Sequence, residues 1–276
     1  MGTIKQHDNT MTELEAFLQG HPVFTLRQFR EQVGGRATPA STQARIKYHL
    51  GRGRLKLVEK GVYAVVRPGV EPKRFTPDRF LVAAALRDDA VLAYHSALEL
   101  LGHAHSVYQD TLYLTARSRK DLRLGDGRVR ALLHPAPLRS HKEEGYGVET
   151  QERLGVKLRV TGHERTLVDC LATPRYAGGL EEVFQSAGGV PALDLDRLAG
   201  YLDRLRQRRL YAVVGFYLEG EASRLFVPPE FLERLAKERP RSRIYLEPRQ
   251  RGGRLQARWN LIVPDRWARE RPAIEI

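Results

Sequence analysis

The sequence predicts a mixed α+β fold, with a small N-terminal domain followed by a larger mixed α/β C-terminal domain. Apolar residues recur at helical spacing through the first fifty residues, alternate at strand spacing over residues 54–66, and then follow alternating helix and strand signals. The chain has 276 residues, of which 42% are hydrophobic, and this suffices for a buried core. Prolines punctuate residues 68–77, so we predict domains at 1–70 and 78–276 joined by a linker at 71–77.

Three helices are predicted in the N-terminal domain, after a disordered stretch at residues 1–10. The first helix ends at Gly20, because glycine is the common residue just past a helix end. The second begins at Thr25, where Gln28 three residues later completes a capping box. The third has Thr38 as its N-cap, followed by a proline at the first helical position, where proline is favoured.

A β-hairpin is predicted directly after the third helix. Residues 54–58 and 62–66 both alternate apolar with polar side chains, and Glu59, Lys60 and Gly61 separate them. Three helices and a hairpin within about 65 residues is the order of a winged helix-turn-helix, a fold that places its last helix in the major groove of DNA.

The third helix divides into two faces on a helical wheel. Ile46 and Leu50, beside Thr42 and Gln43, are predicted to pack inward. The opposite face carries short, cationic or aromatic side chains, namely Ser41, Ala44, Arg45, Tyr48 and Arg52. From Arg36 to Arg67 there are eight basic residues and one acid, a local excess of positive charge that suits a polyanionic partner.

These residues are the predicted DNA-binding site. Arg45 and Tyr48 are the candidates for base-edge contacts, and Ser41 could bond a phosphate near the helix N-terminus. Phosphate contacts or a supporting place in the interface are expected of the others: Ala44, Lys47, Arg52, Arg54, Lys56 and Lys60. A solvated basic face, or a winged helix that contacts only protein, remains an alternative.

Helix and strand signals alternate through the larger domain. Helices are predicted at about 77–87, 96–101, 163–171, 179–187, 194–206 and 229–238. Strands are predicted at about 111–116, 128–133, 146–151, 155–160, 242–247 and 254–263. Thr161 and Glu164 have the spacing of a second capping box.

Three segments resemble the AbiEi-type antitoxins, the transcription-regulator halves of bacterial type IV toxin–antitoxin operons. Arg52–Tyr63 resembles the end of their recognition helix and wing, and Tyr94–Gly102 resembles a small helix after a strand. Arg165–Gly179, followed by Glu182 and Val183, resembles a third element, and the likeness extends over about residues 12–220. The resemblance implies a repressor that binds inverted repeats upstream of its own operon, and a C-terminal domain that neutralises a cognate nucleotidyltransferase toxin.

Bulk properties agree with a nucleic-acid partner without requiring one. The formal charge is +13, but 37 arginines against 9 lysines are spread along the chain, so an arginine-rich composition explains it equally well. No apolar run approaches the length of a membrane span, and no secretory signal is recognised at the N-terminus. With a single cysteine, Cys170, we expect a cytoplasmic, nucleoid-associated protein and no membrane partner.

No cofactor, metal or catalytic residue is predicted. His95, His103 and His105 invite a metal site, but the chain has neither paired cysteines nor a His-x₃-His helix. A magnesium-dependent nuclease would need an aspartate before an acidic-x-Lys motif, and Glu71-Pro72-Lys73 precedes Asp78 and Asp265 instead. The alternatives are a winged-helix regulator without a toxin partner, and an enzyme that acts on DNA or on a partner.

Two further patterns have open interpretations. If residues 242–247 and 254–263 form strands, alternate arginines share a face and could make a second anionic contact, or be merely solvated: Arg241, Arg243, Arg249, Arg251 and Arg254. Arg165 and Asp169 are spaced i,i+4 on one predicted helix. They either belong to an ordinary packed helix or anchor the Gly178-Gly179 loop or a partner.

Overall fold

The computed structural model describes residues 13–33, 38–247 and 251–268, and its fold is mixed α+β, as predicted. The chain divides into two compact units whose segments alternate along the sequence. The first comprises Met1–Leu92, Gln109–Leu133 and Thr150–Val160; the second comprises Ala93–Tyr108, His134–Glu149 and Thr161–Ile276. The linker predicted at 71–77 lies inside the first unit, so the division between the units does not coincide with it.

The N-terminal part of the first unit combines three helices with a small sheet. Its elements are α1 (13–20), β1 (Val23–Thr25), α2 (Leu26–Gln32), α3 (Pro39–Gly51), β2 (Leu55–Glu59) and β3 (Val62–Val65). The strands are antiparallel in the order β1-β3-β2. The predicted helices and hairpin are confirmed within these residues, whereas β1 was not predicted, because three residues give no recognisable alternation. The predicted disordered stretch at 1–10 lies outside the described residues.

The helix starts follow the predicted capping chemistry. Thr25 Oγ1 accepts from the main-chain N–H of Gln28, whose side chain in turn accepts from the Thr25 N–H at 2.8 Å, so the capping box is complete. Thr38 caps α3 by accepting from the N–H of Ser41, and Pro39 occupies the first helical position. These contacts satisfy N–H groups that a helix start otherwise leaves without partners.

An aromatic cluster holds the three helices against the small sheet. Phe17 of α1 meets Phe24 of β1 and Phe29 of α2 edge to face, with ring centroids 5.1 and 5.5 Å apart. Ile46 of α3 and Leu55 of β2 are buried in the same cluster. Contacts between aromatic rings contribute about 0.5–1.5 kcal/mol beyond the burial of their area. The core therefore fixes α3 relative to the hairpin.

A second sheet follows along the chain. Its strands are β4 (Val91–Leu92), β5 (Thr111–Thr115), β6 (Leu122–Leu124), β7 (Gly127–Leu133), β8 (Val148–Arg153) and β9 (Val156–Thr161), in the order β6-β7-β5-β4-β9-β8. The pairs β5–β7 and β4–β9 are parallel. Helix α4 (Arg79–Leu86) begins at Asp78, whose carboxylate accepts from the N–H groups of Phe80 and Leu81. The start predicted near residue 77 is thus correct to within two residues.

Helices dominate the second unit. They are α5 (His95–Leu100), α6 (Ala136–His141), α7 (His163–Ala172), α8 (Leu180–Gly188), α9 (Leu195–Leu205), α10 (Arg208–Gly220) and α11 (Pro229–Lys237). Helix α10 was not predicted, since residues 210–218 are buried all round and such a helix shows no polar stripe. Gly215 in this helix is required, because a Cβ there would lie 2.1 Å from the Trp259 ring.

Two predictions about helix and strand ends were wrong. Helix α7 has Gly162 as its N-cap without a side-chain bond. Thr161 instead bonds Thr166, and Glu164 accepts from the Asp194 N–H, so no capping box forms.

The C-terminal strands are shorter than predicted in the residues that the structure describes, and the described arginines share no strand face there. The strands are β10 (Ile244–Tyr245), β11 (Arg254–Gln256) and β12 (Leu261–Val263), followed by α12 (Asp265–Ala268). A 3₁₀ turn at Ala257–Trp259 separates β11 from β12.

Candidate nucleic-acid interface

Helix α3 buries one face and exposes the other. Thr42, Ile46 and His49 are buried, and Leu50 is half-buried against the aromatic cluster. Gln43 is exposed, so its predicted inward position is wrong, and the buried His49 takes part of that face instead. The sets 42, 46, 49 and 43, 46, 50 fit the helical repeat of about 3.6 residues equally well, so the packing of α3 against its neighbours, and not the repeat, decides which side chains are buried.

The exposed face of α3 has the composition that the sequence analysis predicted. Tyr48 is 60% exposed, although it is a large aromatic residue. Ser41, Ala44, Lys47 and Arg52 are exposed around it. The Arg52 guanidinium lies 6.0 Å from the centre of the Tyr48 ring, at the outer limit of a cation–π contact. Polar, cationic and aromatic groups are thus presented together on one helix surface.

Arg45 has a structural role in addition to its place on α3. Its Nη1 donates to the Val33 carbonyl at 3.2 Å, and its guanidinium lies 5.9 Å from the centre of the Phe29 ring. Both partners belong to the end of α2, where carbonyl groups lack partners within the helix. Arg45 is half-buried by these contacts. It connects α2 to α3 in the free protein.

Two of the predicted phosphate contacts already have partners. Arg54 donates from Nη2 to both carboxylate oxygens of Glu15, at 2.6 and 2.8 Å. Lys56 donates to the Phe75 carbonyl at 2.5 Å. Lys60 is exposed at the turn of the hairpin, where the following Gly61 adopts a φ of 82° that favours glycine. Arg54 and Lys56 each have a partner within the protein. Lys60 is exposed and has no anionic or carbonyl partner among the described residues.

His49 lies beneath the exposed face. Burial lowers the pKa of its imidazole, and the nearby Arg54 lowers that pKa further. Sequence reasoning did not identify this residue, because a histidine on a helix carries no signal of burial by itself.

Of the predicted C-terminal arginines that the structure describes, Arg254 lies in a strand, and Arg241, Arg243 and Arg251 do not. Arg241, Arg243 and Arg251 are exposed, and Arg254 pairs with Asp265 at 3.5 Å. Arg249 lies outside the described residues. The predicted second contact thus has no shared strand face to support it.

A buried polar network in the second unit contains residues of the segments that resemble the antitoxins. His95 Nδ1 lies 3.0 Å from Glu99, and its Nε2 lies 3.4 Å from Glu182. Glu182 also accepts from the Ser106 hydroxyl at 2.6 Å and from the Ser186 hydroxyl at 2.9 Å. Both nitrogens of His95 face carboxylates, and the side chains contact one another in the interior. The arrangement connects α5 and α8 to residues 105–106.

The Arg165–Asp169 pair anchors a different segment from the one considered in the sequence analysis. Arg165 is 1% exposed and donates from Nη1 to the carbonyls of Glu144 at 2.8 Å and Tyr146 at 2.6 Å. Asp169 accepts from the Tyr201 hydroxyl at 2.6 Å, and burial raises the pKa of its carboxyl group although Arg165 opposes this. The pair therefore joins α7 to α9 and to residues 144–146. None of these contacts involves the Gly178-Gly179 loop, so they give no support to the alternative in which the pair anchors that loop.

The described residues contain no cluster of side chains that could bind a metal ion. His103 and His163 lie with their Nε2 atoms 2.9 Å apart, a hydrogen bond between two imidazoles. Within residues 13–33, 38–247 and 251–268, no group of three or more His, Cys, Asp or Glu side chains could hold a metal ion. Over the same residues, no helix combines the length and apolar character needed to cross a membrane.

Comparisons with known proteins identify the fold and no family. No protein-family profile and no curated protein sequence matches the chain. A crystal structure of the RV2827C protein from Mycobacterium tuberculosis is similar to it, with a TM-score of 0.59 and 15% sequence identity. The likeness covers 92% of this chain and 91% of that chain. At this identity it shows a shared fold alone, which extends over nearly the whole of both proteins.

Proposed function

We propose that the protein is a DNA-binding transcriptional repressor, and that residues 13–66 act as its winged helix-turn-helix. The observation that carries the proposal is the exposed face of α3, where Tyr48 is 60% exposed among Ser41, Lys47 and Arg52. A helix that enters the major groove presents such polar, cationic and aromatic groups together on its outer face, where they can reach base edges and phosphates. The order of three helices and a hairpin supports the same assignment.

The roles within this interface follow from exposure. Tyr48 and Lys47, which are exposed, are the candidates for base-edge contacts, and Ser41 in the first turn of α3 is the candidate for a phosphate contact. Arg52 and Lys60 are the exposed cations for backbone phosphates at the helix end and the hairpin turn. Arg45 donates from Nη1 to the Val33 carbonyl, so a contact with DNA would use the other N–H groups of its guanidinium. The DNA is expected to carry inverted repeats upstream of the protein's own operon, with the protein in the cytoplasm on the nucleoid.

The DNA-binding proposal is tested by titrating the full-length protein on DNA upstream of its gene, against scrambled DNA. Tyr48→Ala should weaken binding to the specific site by about 1–3 kcal/mol and leave binding to scrambled DNA nearly unchanged. Tyr245→Ala is the matched control, since Tyr245 is also exposed, at 45%, but lies on β10. Equal weak binding of wild-type protein to both DNAs would overturn the proposal.

The second part of the proposal is that the protein neutralises a nucleotidyltransferase toxin. It rests on the resemblance of Tyr94–Gly102 and Arg165–Gly179 to segments of the AbiEi-type antitoxins. Co-expression of the chain with a nucleotidyltransferase encoded beside it tests this part, with cell growth as the readout. Restored growth with both wild-type protein and Tyr48→Ala would separate neutralisation from DNA binding. Unrestored growth would leave a winged-helix regulator without a toxin partner.

A further inference from the structure

An open cleft of about 600 Å³ lies beside the turn of the hairpin. Lys60, Gly61 and Val62 line one side of it, and Arg87 and Arg117 are among the residues that line the rest. Arg117 belongs to a basic segment, Arg117-Ser118-Arg119-Lys120, that follows β5. All of these residues belong to the first unit. Lys60 is the exposed cation of the hairpin among the described residues, and the cleft therefore has a second basic segment beside it.

Fixed contacts hold the two sides of the cleft together. Glu59, the residue before Lys60, forms an ion pair with Arg119. Arg119 also donates to the Leu86 carbonyl at 3.4 Å. The hairpin is further tied by Lys56, which donates to the Phe75 carbonyl at 2.5 Å. These contacts fix the hairpin turn against the segment after β5, so the main-chain positions of Lys60 and Arg117 are held at the same cleft.

The acidic side chains that line the cleft, Asp88 and Asp89, already have partners within the protein. Asp88 pairs with Arg27 at 2.9 Å. Asp89 accepts from Arg87, from the Thr115 hydroxyl and from the Ala116 N–H. Burial would raise the pKa of Asp89, but these hydrogen bonds outweigh it and hold that pKa at about 2. Its carboxylate therefore stays charged and bound to its own partners.

Two cations remain uncompensated. Lys60 and Arg117 are exposed, and neither has a carboxylate partner in the part of the chain that the structure describes. Two cations that line the same cleft repel each other, and an anion bound between them relieves that repulsion. A phosphodiester group has the charge and the oxygen acceptors that both side chains bind.

We propose that this cleft binds a backbone phosphate of the DNA, with Arg117 as a contact from outside the winged helix-turn-helix. The proposal rests on the proposed DNA-binding function and extends it to the segment after β5. Such a contact carries no sequence information, and it fixes the register of the protein on the duplex. It would also lengthen the DNA site beyond the bases that α3 covers.

The test measures how the affinity of the full-length protein for its upstream DNA varies with salt. Each phosphate contact contributes about 0.9 to the slope of log K against log salt. Arg117→Ala should therefore reduce the slope by about one and weaken binding by roughly tenfold at 0.1 M salt, for specific and scrambled DNA alike. Arg123→Ala is the matched control, because Arg123 is an exposed arginine of β6 in the same unit.

The outcomes distinguish a failure of the Arg117 phosphate contact from a failure of the proposed DNA-binding function. A reduced slope for Arg117→Ala and an unchanged slope for Arg123→Ala support the phosphate contact. A wild-type slope for Arg117→Ala, or an equal loss for both variants, overturns it and leaves DNA binding by α3 intact. Wild-type protein that does not prefer its upstream DNA refutes the proposed function itself. Thermal unfolding of each variant verifies that the fold is retained.

Discussion

Arg54 donates from Nη2 to both carboxylate oxygens of Glu15, so the residue before β2 is tied to the first helix. Both side chains are about two-fifths exposed, and the pair therefore lies at the surface. A cation expected to hold a DNA phosphate thus has an anionic partner in the free protein. A phosphate contact by Arg54 would require this pair to open or to be shared.

From this pair we predict that Arg54→Ala affects DNA binding less than Lys60→Ala does. Lys60→Ala should reduce the salt slope by about one, because an exposed cation binds a phosphate without losing another partner. Arg54→Ala should reduce the slope by less, and lower the free energy of unfolding by at most about 1 kcal/mol, as for other exposed ion pairs. Fluorescence anisotropy at three salt concentrations measures the slopes. Equal slopes for the two variants would contradict this prediction.

Arg45→Ala should destabilise the N-terminal helices as well as weaken DNA binding. The substitution removes the hydrogen bond to the Val33 carbonyl and the contact with the Phe29 ring. We expect a loss of about 1 kcal/mol in the free energy of unfolding, since a half-exposed group recovers part of its hydration. Urea denaturation of Arg45→Ala and of the exposed Lys47→Ala provides the comparison. An unchanged midpoint for Arg45→Ala would show that α2 does not depend on this contact.

The buried Arg165 should be essential for the stability of the second unit. Arg165→Met leaves Asp169 and the carbonyls of Glu144 and Tyr146 without their charged partner in the interior. Removal of one member of a buried ion pair costs about 3–5 kcal/mol. Arg197→Ala, which breaks a half-exposed pair with Glu149, serves as the control and should cost at most about 1 kcal/mol. Similar unfolding midpoints for the two variants would refute the anchoring role.

The His103–His163 contact predicts that stability falls at acidic pH. Burial lowers the pKa of His103 below its ordinary 6.5, and the neighbouring His163 lowers it further. Because the folded-state pKa lies below the unfolded one, the stabilising contribution is fully present above pH 6.5 and is lost as the pH falls through the lowered pKa.

His103→Gln tests this dependence, because glutamine keeps a hydrogen-bonding group and does not titrate. Urea denaturation from about pH 7 down to about pH 5 should show a smaller loss of stability for His103→Gln than for the wild type. His49 contributes a loss of the same sign, since burial also lowers its pKa, and it is present in both proteins. Identical pH profiles would mean that His103 titrates in the folded protein as it does in the unfolded chain.

Local signals in the sequence were sufficient for the elements with clear ends or faces. Thr25 with Gln28, and Thr38 with its proline, define helix starts through contacts three residues apart, which the chain makes without distant partners. The exposed positions of Ser41, Ala44 and Tyr48 follow from the helical repeat alone. The AbiEi-type assignment and the toxin partner stay predictions.

What the sequence by itself determined is the mixed α+β class, the N-terminal order of helices and hairpin, and the composition of the exposed face of α3. Only the tertiary structure decided which basic residues have no partner among the described residues and so remain available to bind DNA. Arg45 donates to Val33, Arg54 to Glu15 and Lys56 to Phe75, and these partners are 12 to 39 positions apart in the sequence. The tertiary structure also showed that residues 208–220 form the buried helix α10, and that Arg117 and Lys60 line the same cleft. The physical reason is that burial and charge pairing depend on distant neighbours, whereas capping and periodicity depend on the residues within a turn or two of the chain.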